Sequence, residues 1–95
     1  RHLMDIYERE KEWEKAIEVA KRLEASSGQS CSREIAHYYC ELAEFVWSKG
    51  KIREAFQYLK QALRYDKHSA RASLVEGNFY KKIGKFKQAL RAYQR

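Results

Sequence analysis

The one cluster with a reactive look is His37, Cys40, Glu41 and Glu44. Spacings of three, four and seven put His37, Cys40 and Glu44 on one face of a helix, setting a thiol beside a possible base as a cysteine nucleophile requires. The same trio could hold a metal, but one helix supplies too few ligands and no second shell is readable. The plainer reading is stronger: Cys40 is a small, semi-buried filler and His37 a polar surface residue. No phosphate-cradling glycine loop and no triad spacing occurs elsewhere. Catalytic and metal assignments are therefore none, and the chain reads as a binder without a cofactor rather than an enzyme. A second chemistry is suggested by Tyr38, Tyr39, Phe45, Trp47, Tyr58, Tyr65, Phe79 and Tyr80, which sit among lysines and arginines as rings that stack on single-stranded nucleic acid do. Most of them fall at core spacing, however, so nucleic acid is not the expected partner.

The elements that position these residues are helices. The 95 residues contain no proline and four glycines, while Ala, Glu, Lys, Leu and Arg dominate. With 44% apolar and 14% aromatic residues the chain can fill a core, which excludes intrinsic disorder. No apolar run approaches the roughly 20 residues that cross a bilayer, and no signal peptide is present. Cys31 and Cys40 are too few for a disulfide scaffold and form no Cys-x-x-Cys pair, which fits a reducing cytosol. Beginning at Arg1 and stopping at Arg95 within a periodic segment, the sequence reads as a piece of a longer chain. Charge is uneven: residues 1–48 hold seven Lys/Arg against ten Asp/Glu, and residues 49–95 hold thirteen against three. A solvated helix surface explains this, and the basic half could also draw in an acidic partner or an anionic lipid surface.

A period organises the helices. Gly50-Lys51-Ile52-Arg53-Glu54-Ala55 returns as Gly84-Lys85-Phe86-Lys87-Gln88-Ala89, an offset of thirty-four. That is the period of the tetratricopeptide repeat, in which small residues let two antiparallel helices approach closely. A middle unit starting at Ala36 places Ala43, Ala55 and Ala62 at the small positions and Tyr39, Leu42, Val46, Ile52 and Leu59 at apolar ones. A unit starting at Ala70 supplies Gly77, Tyr80, Phe86, Ala89 and Tyr93 before it stops part-way. A degenerate first unit aligns Leu3, Met4, Tyr7, Trp13 and Ala16. Lys67 stands where a proline commonly closes the unit, Ser73 and Glu76 replace apolar residues, and Lys11 replaces the turn glycine. Ala16 and Ala55 are thirty-nine apart, five more than the period, and the polar stretch from Ser26 to Ser32 is expected to absorb the excess as a lengthened loop.

Six helices follow, at 2–10, 12–26, 33–49, 52–65, 70–83 and 86–95. Ser32 and Ser69 are expected to be N-caps, and the glycines after Lys49 and Ile83 to close helices with positive φ. The fold class is all-α: tetratricopeptide-repeat helical hairpins stacked as a right-handed α-solenoid fragment, one array over 1–95 with a degenerate partial repeat at about 1–30, a repeat at 36–69 and a partial repeat at 70–95. Neither end looks capped, so end-to-end self-association is expected.

In such an array the first helix of each unit lines a concave groove through its second, fifth, ninth, twelfth and thirteenth positions. Those are His37, Cys40, Glu44, Trp47 and Ser48 in the middle unit and Arg71, Leu74, Asn78, Lys81 and Lys82 in the next. Trp47 is the candidate aromatic anchor, Arg71, Lys81 and Lys82 the candidate grips for carboxylates or carbonyls, and Asn78 a holder of peptide backbone.

The stretch from Arg33 through Ala36-His37-Tyr38-Tyr39-Cys40-Glu41-Leu42-Ala43 goes beyond the generic repeat, as do Leu3-Met4-Asp5-Ile6-Tyr7, Glu12-Trp13-Glu14-Lys15-Ala16-Ile17 and Asp66-Lys67-His68-Ser69-Ala70-Arg71. On these residues nearly the whole chain resembles the lipopolysaccharide assembly protein B family (LapB, also called YciM). The resemblance implies an adaptor of Gram-negative bacteria on the cytoplasmic face of the inner membrane, with an N-terminal membrane helix, a repeat array and a C-terminal rubredoxin-like ribbon that holds zinc or iron. It further implies that the adaptor limits lipopolysaccharide synthesis by presenting the lipid A deacetylase LpxC to the membrane protease FtsH. These residues would be central repeats only, so the family's metal-binding cysteines do not map onto Cys31 or Cys40. Some relatives carry names suggesting N-acetylglucosaminyl transfer; repeat architecture conveys no such chemistry, and that reading would need a nucleotide-sugar domain elsewhere.

Overall fold

A computed structural model of the chain describes residues 2–94, without the side chain of His2. Its elements are α1 (His2–Arg9), α2 (Trp13–Ser27), α3 (Ser32–Ser48), α4 (Ile52–Tyr65), α5 (Ala70–Lys82) and α6 (Phe86–Gln94). They pair as three successive hairpins, α1–α2, α3–α4 and α5–α6, and no strand occurs among the described residues. Its radius of gyration, 13.8 Å, exceeds the about 12 Å of a compact chain this long, as expected of stacked hairpins rather than one bundle.

Helix α3 is the spine because it carries two apolar seams. Ile35, Tyr38 and Leu42 join Met4, Ala16, Ile17 and Ala20 in one core, while Ala36, Cys40, Ala43 and Val46 join Ala55, Leu59, Ala62, Ala72, Val75 and Phe79 in another. Each set recurs every three or four residues, so one helix turns different faces to the hairpin before it and to its own partner. Tyr38 also reaches α1, where its hydroxyl donates to Glu8 Oε2 at 3.1 Å.

The turn glycines behave as expected: Gly50 and Gly84 both lie at φ 82°. Lys11, which replaces the glycine at the same place in the first hairpin, takes φ 57°. A side chain held in the left-handed region costs about 1–2 kcal/mol, against about 0.5–1 kcal/mol for the extra freedom a glycine loses on folding. Lys11→Gly is therefore expected to stabilise the chain by about 0.5 kcal/mol, raising the melting midpoint by ~2–4 °C in a thermal scan.

Two expectations are corrected. The five extra residues do not make a long loop. Residues 28–31 separate α2 from α3 just as 66–69 separate α4 from α5, and the excess goes into helix: α2 has 15 residues against 14 in α4, and α3 has 17 against 13 in α5. The added first turn of α3 is held by tertiary contacts that local propensity does not report, since Ile35 is fully buried and the Cys31 amide donates to Glu24 Oε2 on α2 at 2.7 Å. Nor is Ser32 an N-cap. It is the first helical residue, and its amide donates to Ser30 Oγ at 3.3 Å. Ser69 does cap α5, accepting from the Ala72 amide at 3.1 Å.

Several apolar positions of the repeat are also open to solvent, namely Leu3, Ile52, Phe86 and Tyr93. Phe86 and Leu90, one turn apart on α6, are 66% and 57% exposed. In the preceding hairpin the same positions are Ile52 and Phe56, which face α5; no helix of the described residues stands in that place beyond α6.

Candidate protein-docking groove

The second half of α3 and the facing side of α5 meet in a hollow of about 260 Å³, lined by Glu44, Trp47, Ser48, Val75, Asn78, Phe79 and Lys82. Trp47 lies flat on Phe79, with ring centroids 4.2 Å apart and planes 8° from parallel, and Phe56 of α4 meets both rings edge-on. Such a sandwich is rigid, because neither ring can turn without displacing the other. Lys82 Nζ stands 5.7 Å from the Trp47 centroid, so the cation is held over the aromatic face. Glu44, whose carboxylate also accepts from Arg71 at 2.6 Å, lines the same hollow, so it holds apolar rings together with a carboxylate and an ammonium.

Of the residues expected at the groove, Glu44, Trp47, Ser48, Asn78 and Lys82 come together here. Leu74 lies one turn before Asn78 on α5 and is 52% exposed, an apolar contact beside the hollow rather than in it. Lys81 is exposed but does not line it. Asn78 is partly engaged: its Oδ1 accepts from the Tyr93 hydroxyl of α6 at 2.7 Å.

Three placements differ from expectation. Arg71 does not project into the groove as a grip for a guest; Nη2 donates to Glu41 Oε1 at 2.5 Å and to Glu44 Oε1 at 2.6 Å, clamping α5 to α3. Partial burial opposes its charge, but the hydrogen bond it donates to Glu44 and the charges of both carboxylates outweigh that and hold its pKa above the usual value. His37 is half-buried against α2, its ring edge-on to Trp13 at 6.2 Å and 5.9 Å from Tyr38. Cys40 is fully enclosed between α3 and α4 and takes no part in the groove.

Burial pushes the Cys40 thiol up to about 12, the nearby Arg71 opposing the shift and Glu44 reinforcing it. A thiol held neutral is a poor nucleophile and a poor metal ligand. Among the described residues no three of His, Cys, Asp and Glu converge as a metal site would. Because the folded pKa is raised, this stabilising contribution is complete below the usual thiol value near 9 and is lost as pH climbs towards about 12. Denaturant titrations across that range should show stability falling with pH, and Cys40→Ala should flatten the fall.

Val75 and Phe79 were not anticipated in the groove. Ala72, Val75 and Phe79 carry the three-then-four spacing of a core stripe, and Phe79, though buried, lines the hollow where Trp47 stacks on it. Other aromatics serve the joints between helices. Tyr39 stacks between Tyr58 and Tyr65 at 6.1 and 6.0 Å, and Lys21 Nζ on α2 donates to the Tyr39 hydroxyl at 3.1 Å.

Three stacked hairpins, glycine-closed turns thirty-four residues apart and a groove between first helices define a helical repeat protein, and residues 46–95 match the model of the tetratricopeptide repeat. The chain belongs to the tetratricopeptide repeat family. It is similar to lipopolysaccharide assembly protein B of Escherichia coli strain K12, with 38% identity over 98% of this chain and 24% of the relative. The protein of that name from Haemophilus influenzae is 32% identical over 94% of this chain and 22% of its own length. The chain thus spans about a quarter of the length of these curated relatives.

Proposed function

We propose that these repeats are a protein-docking segment of an adaptor in lipopolysaccharide biosynthesis, and that the hollow between α3 and α5 receives a segment of a partner. The observation that carries this reading is the Trp47–Phe79 floor beneath Lys82 and Glu44: a preformed aromatic surface with both signs of charge at its edge suits a peptide carrying an apolar side chain between polar groups. Its own residues bind and orient; none is placed to transfer a group. Similarity to lipopolysaccharide assembly protein B over nearly the whole chain supports the pathway. The partners proposed are an LpxC-type deacetylase and an FtsH-type protease, brought together at the cytoplasmic face of the bacterial inner membrane. No helix of the described residues is long and apolar enough to cross a membrane, so tethering would fall to a segment outside them. The uncovered Phe86 and Leu90 face of α6 is where end-to-end association of isolated copies would occur.

The test is binding of purified deacetylase and protease to the wild-type chain, Lys82→Glu and Leu74→Ser. Both side chains are exposed, so circular dichroism should be unchanged while affinity for at least one partner falls about tenfold for each. Equal affinity for all three proteins would remove the groove from the reading.

A further inference from the structure

A larger hollow, about 820 Å³, lies on the other side of α5, between it and α4. Glu76, Tyr80 and Ile83 stand about half a turn round α5 from Leu74 and Asn78, so this surface is separate from the groove between α3 and α5. Its apolar floor is Ile52 and Phe56 from α4 with Tyr80 from α5 and Ile83, the residue just after α5. Ile52 and Ile83 are 37% and 42% exposed, unusual for side chains at the seam between two stacked hairpins.

The seam one repeat earlier is tighter. There Leu42 of α3 and Ile17 of α2 are both buried, and the hollow they line with Tyr39 and Tyr58 is only about 280 Å³. Thirty-four residues after Leu42 the chain has Glu76, so α5 turns a carboxylate towards α4 where α3 turns a leucine towards α2. The two helices do not seal the floor, and α6 makes no close approach to α4 that would fill it. Cations flank the opening: Arg53 and Lys60 on α4, and Lys85 in the turn before α6.

We propose that this outer groove is a second docking surface, whose occupant is an amphipathic helix of a partner protein with an apolar stripe bordered by acidic residues. Charge complementarity sets the sign, since three cations border the floor and residues 49–95 carry thirteen Lys/Arg against three Asp/Glu. Shape selects a helix. From Ile52 to Leu63 the α4 wall runs ~16 Å, three turns, long enough to take apolar side chains of a guest at i, i+4 and i+7, which span ~10 Å. A bilayer surface fits less well, because Phe56 is recessed between two helices, where a guest side chain reaches it and a flat headgroup layer does not.

The probe is a fluorescent synthetic helical peptide with leucines at i, i+4 and i+7 flanked by glutamates, compared with the same peptide carrying lysines for the glutamates and with phosphatidylglycerol vesicles. The acidic peptide is expected to bind the whole chain at least about tenfold more tightly than its lysine counterpart, with affinity falling as salt rises. The exposed pair Arg53→Glu plus Lys60→Glu should abolish that preference without changing helical content. Lys82→Glu, on the other groove, should leave it intact, so failure of this proposal is distinguishable from failure of the docking function above. Equal binding of the two peptides, an unaffected Arg53/Lys60 variant, or capture by vesicles but not by peptide would each overturn it.

Discussion

Leu59→Ala is expected to cost about 3 kcal/mol of folding stability and to lower the melting midpoint by ~12–24 °C, whereas Leu74→Ala should change stability by less than about 0.5 kcal/mol. The two leucines differ only in what their helices face. Leu59 is 1% exposed and sits on α4 between Ala55 and Ala62, against the Ala36, Cys40 and Ala43 seam of α3. Small residues on both sides let the helix backbones come close, so they cannot collapse further to refill a lost isobutyl group. The cavity persists, and its cost adds to the lost transfer free energy. In a repeat stack there is no central core to share that loss, because each hairpin leans only on its neighbours. Chemical denaturation read by circular dichroism measures both variants; a Leu59→Ala protein as stable as Leu74→Ala would mean that α3 and α4 are not joined through this seam.

The period made the hairpins legible because Gly50 and Gly84 and the alanines after them report close approach directly: a turn needing positive φ and a crossing needing no side chain leave few alternatives. At the third crossing even a methyl is excluded, since a Cβ on Gly77 would fall 2.2 Å from the Tyr93 ring. The bounds of α3 were legible to within one residue, yet the five-residue excess was assigned to the stretch before it because Ser-Gly-Gln-Ser-Cys-Ser has loop composition; what holds the first turn of α3 is a carboxylate on α2 and the burial of Ile35. Cys40 shows a different failure. Counting positions from Ala36 placed it on the groove, whereas Ala36, Cys40 and Ala43, spaced four and three, form the stripe that faces α4. Arg71 was unreadable as a clamp because its partners Glu41 and Glu44 lie 30 and 27 residues away, and only the stacking of α5 on α3 brings them together.

That clamp sets the second large effect. Arg71→Glu removes two charge-assisted hydrogen bonds and places a third carboxylate beside Glu41 and Glu44, the acidic pair on α3 that the guanidinium bridges. Side-chain exposures of 40% for Arg71 and 25% and 48% for the glutamates mean that water screens much of the interaction, so the expected cost is about 2 kcal/mol rather than the larger loss of a buried pair. Arg71→Met, which removes the clamp without adding repulsion, should cost about 1 kcal/mol. Added salt should narrow the gap between these two variants, because screening weakens like-charge repulsion and leaves apolar contacts in place. Restoring opposite charge from the other helix, with Glu44→Arg in the Arg71→Glu background, should recover more than half of the loss. Each comparison is a denaturant midpoint at fixed pH. An Arg71→Glu chain as stable as wild type would mean that α5 is held on α3 by Trp47, Phe79 and their apolar neighbours alone, and that the carboxylates on α3 remain available to a basic guest.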